Sequence, residues 1–137
     1  MQITLEYLAG FIDGEGSIII RKHQNKNKLS HSLILSIGNT NLDILLLIQK
    51  YYGGRICKQK KYSENHTQSF MIRWHGTDAQ NILNQIKDYL LIKKGQAEIA
   101  LAFYVGDCGM KVSMKDILER SILNKELRIL NKSRFVN

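Results

Sequence analysis

The spacing of apolar residues changes several times along the chain, and each change marks the border of a predicted element. Residues 4–14 have apolar side chains at the spacing of one helix face, with Thr4 placed to cap the helix and Glu6 in its first turn, where the helix dipole favours an acid. Apolar and polar residues then alternate, which predicts strands at 17–24 and 32–38 joined by the polar loop NKNKLS. The first forty residues are therefore expected to form a helix and a hairpin.

The same order of helix and hairpin occurs a second time. Residues 41–52 predict a helix that starts at a capping box made by Thr40 and Asp43 and ends at a pair of glycines. Alternating residues at 55–61 and 68–75 predict the second hairpin, around the polar stretch YSENHT. The two hairpins are expected to form an antiparallel sheet.

The last part of the chain is predicted to be helical. Thr77 followed by Gln80 indicates the start of a third helix, which runs to about Tyr89. Apolar spacing predicts two more helices at about 94–105 and 115–131, separated by the glycine-containing loop GDCGM. The predicted fold class is α+β, with one mixed domain and additional C-terminal helices.

Length and composition favour one domain of an ordinary kind. With 137 residues, 44% of them hydrophobic, a single domain is expected over 1–137, with a core to about 105 and a helical part from about 106. No apolar stretch has the length of a spanning helix and the first residues lack the signal-peptide pattern, so an intracellular protein without a membrane partner is expected. Cys57, Cys108 and the four histidines have no metal-ligand spacing, and no disulfide framework is indicated.

The charge balance indicates a polyanionic partner. The chain has 20 Lys and Arg against 12 Asp and Glu, a net charge of +8, which by itself fits either nucleic acid or a membrane surface. Residues 17–75, which hold the predicted strands, contain ten bases and two acids. A solvated sheet also has polar outward residues, but this imbalance favours nucleic-acid binding.

The predicted strands have one apolar face and one polar face. A sheet face with Arg, Gln, Ser and His side chains suits the reading of base edges in the major groove of DNA, which admits a β-ribbon. The residues expected on that face are Arg21, His23, Ser32, Ser36, Arg55, Gln59, Lys61, Arg73 and His75. Double-stranded DNA is therefore the expected partner.

The stretch LAGFIDGEG, residues 8–16, places glycines inside a predicted helix. Gly10 and Gly14 lie on one helix face, and each lowers helix stability by roughly 1 kcal/mol relative to Ala, which is tolerated where another backbone approaches closely. The near-copy LAFYVGDCG, residues 101–109, lacks the first glycine and both acids, so the partner helix is expected from another molecule. The prediction is a twofold homodimer.

A twofold axis at this helix would bring two Glu15 side chains together. Two carboxylates beside a polyanion repel each other unless cations intervene, and Mg²⁺ commonly takes one or two carboxylates with phosphate oxygens. Such an arrangement suits metal-assisted hydrolysis of a phosphodiester. The residues alone leave open a simpler interpretation, in which Gly14 and Gly16 end the helix and Glu15 is merely solvated.

LAGFIDGEG and the following strand SIII resemble the motif of the LAGLIDADG homing endonucleases, and the order of elements resembles their αββαββα core. A single copy of the motif resembles the homodimeric subclass. The resemblance implies an intron- or intein-associated enzyme that binds a long, near-palindromic DNA site as a homodimer. It also implies that both strands are cut across the minor groove with Mg²⁺ or Mn²⁺.

The resemblance assigns roles to the residues of the motif. It implies that Glu15 binds the metal, with the carbonyl of Gly14 as an added ligand. It places Gly10, Asp13 and Gly14 at the dimer interface, with Asp13 as a structural residue. Aspartate is commoner than glutamate at the position of Glu15, so this chain departs from the usual motif by one methylene.

The resemblance implies two more catalytic residues outside the motif. Asn41 would order the active-site water, and Lys93 would steady the charge that develops on the phosphate, with Lys94 as the alternative. The second helix has no base before Lys50, whereas some relatives have an arginine early in it.

Other functions fit the same sequence. One is an RNA-binding intron maturase of the same fold, for which intron RNA would be a partner, and another is a DNA-binding protein without catalytic activity. A monomeric RNA-binding domain is disfavoured because exposed glycines would weaken the helix and no packing contact would compensate for it. The location expected for an endonuclease of this type is the cytoplasm of a bacterium or phage host, or a mitochondrion or chloroplast.

Overall fold

The computed structural model describes residues 2–26, 28–103 and 114–133. Its elements are α1 (Leu5–Glu15), β1 (Gly16–Asn25), β2 (Lys28–Asn39), α2 (Leu42–Tyr52), β3 (Arg55–Lys58), β4 (Phe70–His75), α3 (Gly76–Ile86), a 3₁₀ turn (Lys87–Tyr89), α4 (Lys94–Ala102) and α5 (Met114–Ser133). The predicted α+β class and the order αββαββα are confirmed. The loop GDCGM, with Cys108, lies outside the described residues.

The four strands form one antiparallel sheet in the order β1-β2-β4-β3. Its inner face is apolar, and the side chains of Ile18, Leu35, Ile37 and Ile72 have no exposed surface. Helices α1, α2 and α3 pack against the sheet. Burial of each such side chain stabilises the fold by about 1.5–3 kcal/mol, which directs the polar side chains of the strands to the other face. None of the helices in the described part of the chain is long and apolar enough to cross a membrane.

The first hairpin is longer than its sequence predicts. β1 and β2 pair as far as Asn25 and Lys28, so most of the predicted loop at 25–30 is strand. The turn between the strands includes Lys26, whose φ of 53° is in the left-handed region. The sequence pattern missed this extension because polar residues can continue a strand beyond its core.

The second hairpin is shorter than its sequence predicts. β3 ends at Lys58 and β4 begins at Phe70, which leaves residues 59–69 as a loop. The side chain of Gln68 donates a hydrogen bond of 2.8 Å to the carbonyl of Gln59 and closes this loop. Gln59 and Lys61, predicted as strand residues, are therefore loop residues.

The start of α2 is capped differently from the prediction. The side-chain oxygen of Asn41 accepts a hydrogen bond of 3.2 Å from the N–H of Ile44, which makes Asn41 the cap in place of Thr40. The predicted cap of α1 is confirmed, since the hydroxyl of Thr4 accepts from the N–H of Tyr7 at 3.2 Å. Both caps satisfy donors that the first helical turn leaves without a partner.

The start of α3 also departs from the prediction. The helix begins at Gly76, before Thr77, and has no side-chain cap. Gln80, which was expected to complete the cap, instead donates hydrogen bonds to the carbonyls of Ala100 at 3.0 Å and Phe103 at 2.6 Å. This side chain ties α3 to the C-terminal end of α4.

Candidate metal and DNA-binding site

Glu15 ends α1 and is exposed at the junction with β1. The strand starts immediately at Gly16, whose N–H donates to the carbonyl of Ile12. A Cβ at Gly16 would lie 2.7 Å from that carbonyl oxygen, so only glycine allows helix and strand to meet this closely. The junction thereby fixes the backbone from which Glu15 projects.

The carboxylate of Asp13 accepts backbone hydrogen bonds inside the fold. One carboxylate oxygen accepts from the N–H of Leu91 at 2.8 Å, and the other accepts from the N–H groups of Ile92 at 3.2 Å and Lys93 at 3.0 Å. The side chain is buried. Asp13 therefore joins the end of α1 to the segment before α4.

Lys93 is fully buried, and its ammonium donates a hydrogen bond of 2.7 Å to the backbone carbonyl of Asp13. A cation at the C-terminal end of a helix is favoured by the helix dipole and binds one of its last carbonyls. Lys93 thus reinforces the same joint that Asp13 makes. The predicted contact between Lys93 and a phosphate stays a prediction; in the structure its ammonium is bound to α1. Lys94, the alternative, is exposed at the start of α4.

The glycine face of α1 is open. Gly10 and Gly14 are exposed, and a Cβ at either position would meet nothing within 4 Å. Neither glycine has a positive φ. The described part of a single chain therefore gives no steric or backbone reason for glycine at these two positions.

A groove of about 700 Å³ opens beside Glu15. Its lining comes from the end of α1, the end of β2, the start of β4 and the 59–69 loop. The lining residues are Glu15, Gly38, Asn39, Thr40, Gln59, Lys60, Lys61, Tyr62, His66, Thr67, Ser69 and Met71. Glu15 is the one carboxylate among the described residues of this lining, and it shares the groove with two lysines and a histidine.

The groove contains residues that sequence reasoning missed. Asn39, Lys60 and His66 line it, whereas Asn41 and Lys93 are absent from the lining that the described residues form. The oxygen of the Asn41 side chain is engaged in the α2 cap, so its predicted role with water remains a prediction. No sequence signal identified the loop residues. The loop is closed by hydrogen bonds between its two ends, from the N–H of Gln59 to the carbonyl of Ser69 and from the side chain of Gln68 to the carbonyl of Gln59.

The oxygen atoms beside the groove suit a hard divalent cation that also binds ligands from outside this chain. Within the described ranges, no group of three or more His, Cys, Asp or Glu residues could hold a metal. Glu15 and the nearby carbonyl of Gly14 offer oxygen donors, which Mg²⁺ prefers and supplements with water and phosphate oxygens. The described residues of one chain therefore offer only a few of the ligands that such an ion takes.

The outward face of the sheet has the register that the alternation predicts. Arg21 pairs with Ser32, and Ser36 pairs with Arg73, which in turn pairs with Arg55. This register places the arginines of three strands on one face, along with His75 and His23. The Nε2 of His23 lies 2.9 Å from the hydroxyl of Ser32.

Some predicted DNA-binding residues lie in different surroundings from those expected. Ser36 is only 5% exposed, which leaves its hydroxyl little surface for a base edge. Arg73 is half-buried, and its Nε donates to the sulfur of Met71 at 3.1 Å. Gln59 and Lys61 lie past the end of β3 and line the groove instead of the sheet face.

Comparison with known proteins identifies the family of this chain. Residues 8–102 match the family model described as LAGLIDADG endonuclease. The chain belongs to the LAGLIDADG endonuclease family. No curated protein sequence is a significant match.

Solved structures of LAGLIDADG homing endonucleases have the same fold. The homing endonuclease I-CvuI, in complex with the I-CreI target and 2 mM Mg with the DNA not cleaved, is 25% identical, with a TM-score of 0.73 over 92% of this chain and 80% of that chain. I-CvuI with its own target and 2 mM Ca gives 25% identity and a TM-score of 0.70 over the same shares. The archaeal intron-encoded I-Vdi141I complexed with DNA, at 24% identity, has a TM-score of 0.72 over 92% of this chain and 82% of that chain.

Proposed function

We propose that the chain is a homodimeric, Mg²⁺-dependent endonuclease that cuts both strands of a long, near-palindromic DNA site. The observation that carries the proposal is the position of Glu15, an exposed carboxylate at the end of a helix with an open glycine face and beside a groove with three basic residues. Membership of the LAGLIDADG endonuclease family and the DNA complexes of similar proteins support it.

The surface around the end of α1 supports assembly from two copies. Tyr7 is 47% exposed and stacks on Phe11, with ring centroids 6.0 Å apart, beside the open glycines of the same helix. Leu91 and Ile92 are 90% and 62% exposed. They lie beside the end of α1, because their N–H groups donate to the carboxylate of Asp13. Exposed apolar side chains grouped in this way are typical of an interaction surface, and a helix of the second copy would cover it.

In such a dimer each chain contributes oxygen ligands to the metal site. Glu15 would supply its carboxylate and Gly14 its carbonyl, and DNA phosphates and water would supply the rest. Bound Mg²⁺ would activate a water and stabilise the leaving oxygen of the phosphodiester. The joint between Asp13 and the segment at 91–93 holds the end of α1, and so orients Glu15.

In this proposal the groove and the outward face of the sheet contact different parts of the DNA. Lys60 and Lys61 bind phosphates beside Glu15, since charged donors make the stronger hydrogen bonds to phosphate oxygens. His66 lines the same groove and offers a ring nitrogen as a further hydrogen-bonding group. The outward side chains of the sheet contact base edges in the major groove. The residues of this face that we propose for base contacts are Arg21, His23, Ser32, Arg55, Arg73 and His75.

The test is cleavage by the wild-type chain and by Glu15→Gln, with binding measured in parallel. Duplexes selected by binding from a randomised pool serve as the target, and cleavage is followed with Mg²⁺. Wild type is expected to cut both strands, whereas Glu15→Gln binds with similar affinity and loses at least a hundredfold in rate, because an amide is a poorer Mg²⁺ ligand. Glu98→Gln, the same substitution at an exposed acid on α4 outside the lining of the groove, is the matched control.

The outcomes separate the alternatives. Loss of cleavage in Glu15→Gln and full cleavage in Glu98→Gln support the proposal. Binding without cleavage by the wild type would indicate a DNA-binding protein without catalytic activity. Equal cleavage by wild type and Glu15→Gln would remove Glu15 from the metal site.

A further inference from the structure

Helix α5 is tied to the free edge of the sheet. β1 is an edge strand, and its carbonyls at Ile18 and Ile20 accept hydrogen bonds from the side-chain amides of Asn131, at 3.0 Å, and Asn124. The two asparagines are seven residues apart, which is about two helical turns and puts them on one helix face. These bonds fix the position of α5 along β1, and they also protect an edge that could otherwise pair with another strand.

Arg128 lies between the two asparagines on this face of α5. With Arg21 and Lys22 of β1 it lines a crevice of about 290 Å³ between strand and helix. We call this the edge crevice, and its lining residues are Ile19, Ile20, Arg21, Lys22, Asn124, Leu127, Arg128 and Asn131. Leu127 is only 1% exposed and anchors the helix in the core.

The edge crevice has the charge of an anion site. Its three cations are all exposed, and there is no carboxylate among the described residues of its lining. Arg21 is on the outward face of β1, its neighbour Lys22 has the opposite orientation, and Arg128 comes from α5. The positive charge around the crevice therefore comes from both faces of β1 and from α5.

We propose that the edge crevice binds a backbone phosphate of duplex DNA, with Arg128 as the contact supplied by α5. The crevice opens beside Arg21, at the margin of the outward sheet face, so a duplex on that face would bring its sugar-phosphate backbone to α5. Arginine suits this position because its planar guanidinium can donate two hydrogen bonds to one phosphate. The identity of the ligand as DNA rests on the proposed function, whereas the crevice itself needs no metal and no Glu15.

The test measures how DNA affinity depends on salt. The probe is a duplex of random sequence without divalent metal, because phosphate contacts do not depend on sequence and each adds about 0.9 to the slope of log affinity against log salt. Arg128→Gln is expected to lower this slope by about 1 for each subunit bound, and Arg128→Lys to keep most of it. Lys115→Gln, with the same charge change roughly 20 Å away along α5, is the control and is expected to leave the slope unchanged.

The possible results distinguish this inference from the proposed function. If the wild type binds the duplex and Arg128→Gln leaves the slope unchanged, the edge crevice is not a phosphate site although DNA binding stands. An equal decrease for Arg128→Gln and Lys115→Gln would indicate a general effect of net charge and would also overturn the inference. A wild-type chain that fails to bind duplex DNA would refute the proposed function together with it.

Discussion

The two acids of the motif show how far single residues can be predicted. Asp13 and Glu15 are two positions apart, yet the carboxylate of Asp13 accepts three backbone N–H groups inside the fold and Glu15 is exposed beside the groove. The resemblance implies a structural role for Asp13 and a metal-binding role for Glu15, and the metal-binding role stays a prediction. It gave no sign that the ammonium of Lys93 would bind the carbonyl of Asp13, because that contact joins residues 80 positions apart in sequence.

Replacement of Lys93 by Met tests which of two roles this residue has, stabilising the end of α1 or contacting a phosphate. The carbonyl of Asp13 would lose its donor in a buried setting, so the free energy of unfolding should fall by about 1–3 kcal/mol in urea denaturation. Lys94→Met, at an exposed position, is the control and should change it by less than about 0.5 kcal/mol. If Lys93→Met lost cleavage with unchanged stability, a direct contact with the phosphate would be indicated instead.

At the scale of elements, the sequence predicts types and order better than ends. Period-two and helical spacing placed every element of the αββαββα core, because burial of one face imposes these patterns. The ends depend on single polar side chains whose partners are remote or ambiguous. Asn41 instead of Thr40 caps α2, Gln68 closes the loop that shortens the second hairpin, and Gln80 binds α4 instead of capping α3.

The glycine face of α1 gives a prediction in which stability and assembly change in opposite directions. Gly14→Ala should stabilise the isolated chain by up to about 1 kcal/mol, since Ala favours the helix and its methyl meets nothing within 4 Å. The same methyl would separate the paired helices and weaken dimerisation by at least about tenfold. Urea denaturation at a concentration below the dimer dissociation constant gives the first quantity, and sedimentation velocity the second. An unchanged dimer would place the interface elsewhere.

His31 of β2 is affected by the charge of Arg120 of α5, and this gives a prediction about how the free energy of unfolding depends on pH. Burial and the nearby charges of Arg120, Lys22 and His23 lower the pKa of His31 below its ordinary value of 6.5. The unfolded chain then binds a proton that the native chain does not, so stability conferred by the neutral His31 is lost as pH falls through about 6.5. The free energy of unfolding should decrease from about pH 7 to about pH 5.

The variant His31→Gln should reduce that decrease, as measured by urea denaturation at both pH values. His66→Gln, at an exposed position in the 59–69 loop, is the matched control and should retain the wild-type pH dependence. A wild-type dependence in both variants would mean that other groups carry the effect.

At the scale of the whole molecule, the described residues of one chain form the sheet and its core, whereas the proposed metal site needs ligands from elsewhere. The sheet, the core and the joint at the end of α1 are all internal to the chain. Within the described residues, however, Glu15 is the one carboxylate in the groove lining, and the glycines of α1 face open space. The central claim of this account is that a second copy covers the glycine face and completes the metal site on DNA.

The most direct test of that claim is to measure the mass of the protein–DNA complex that cleaves the DNA. Sedimentation equilibrium with a selected duplex, without divalent metal, gives the number of chains per duplex, and addition of Mg²⁺ then tests cleavage of the same sample. The account predicts two chains per duplex and cleavage of both strands. A complex of one chain per duplex that cuts both strands would contradict it.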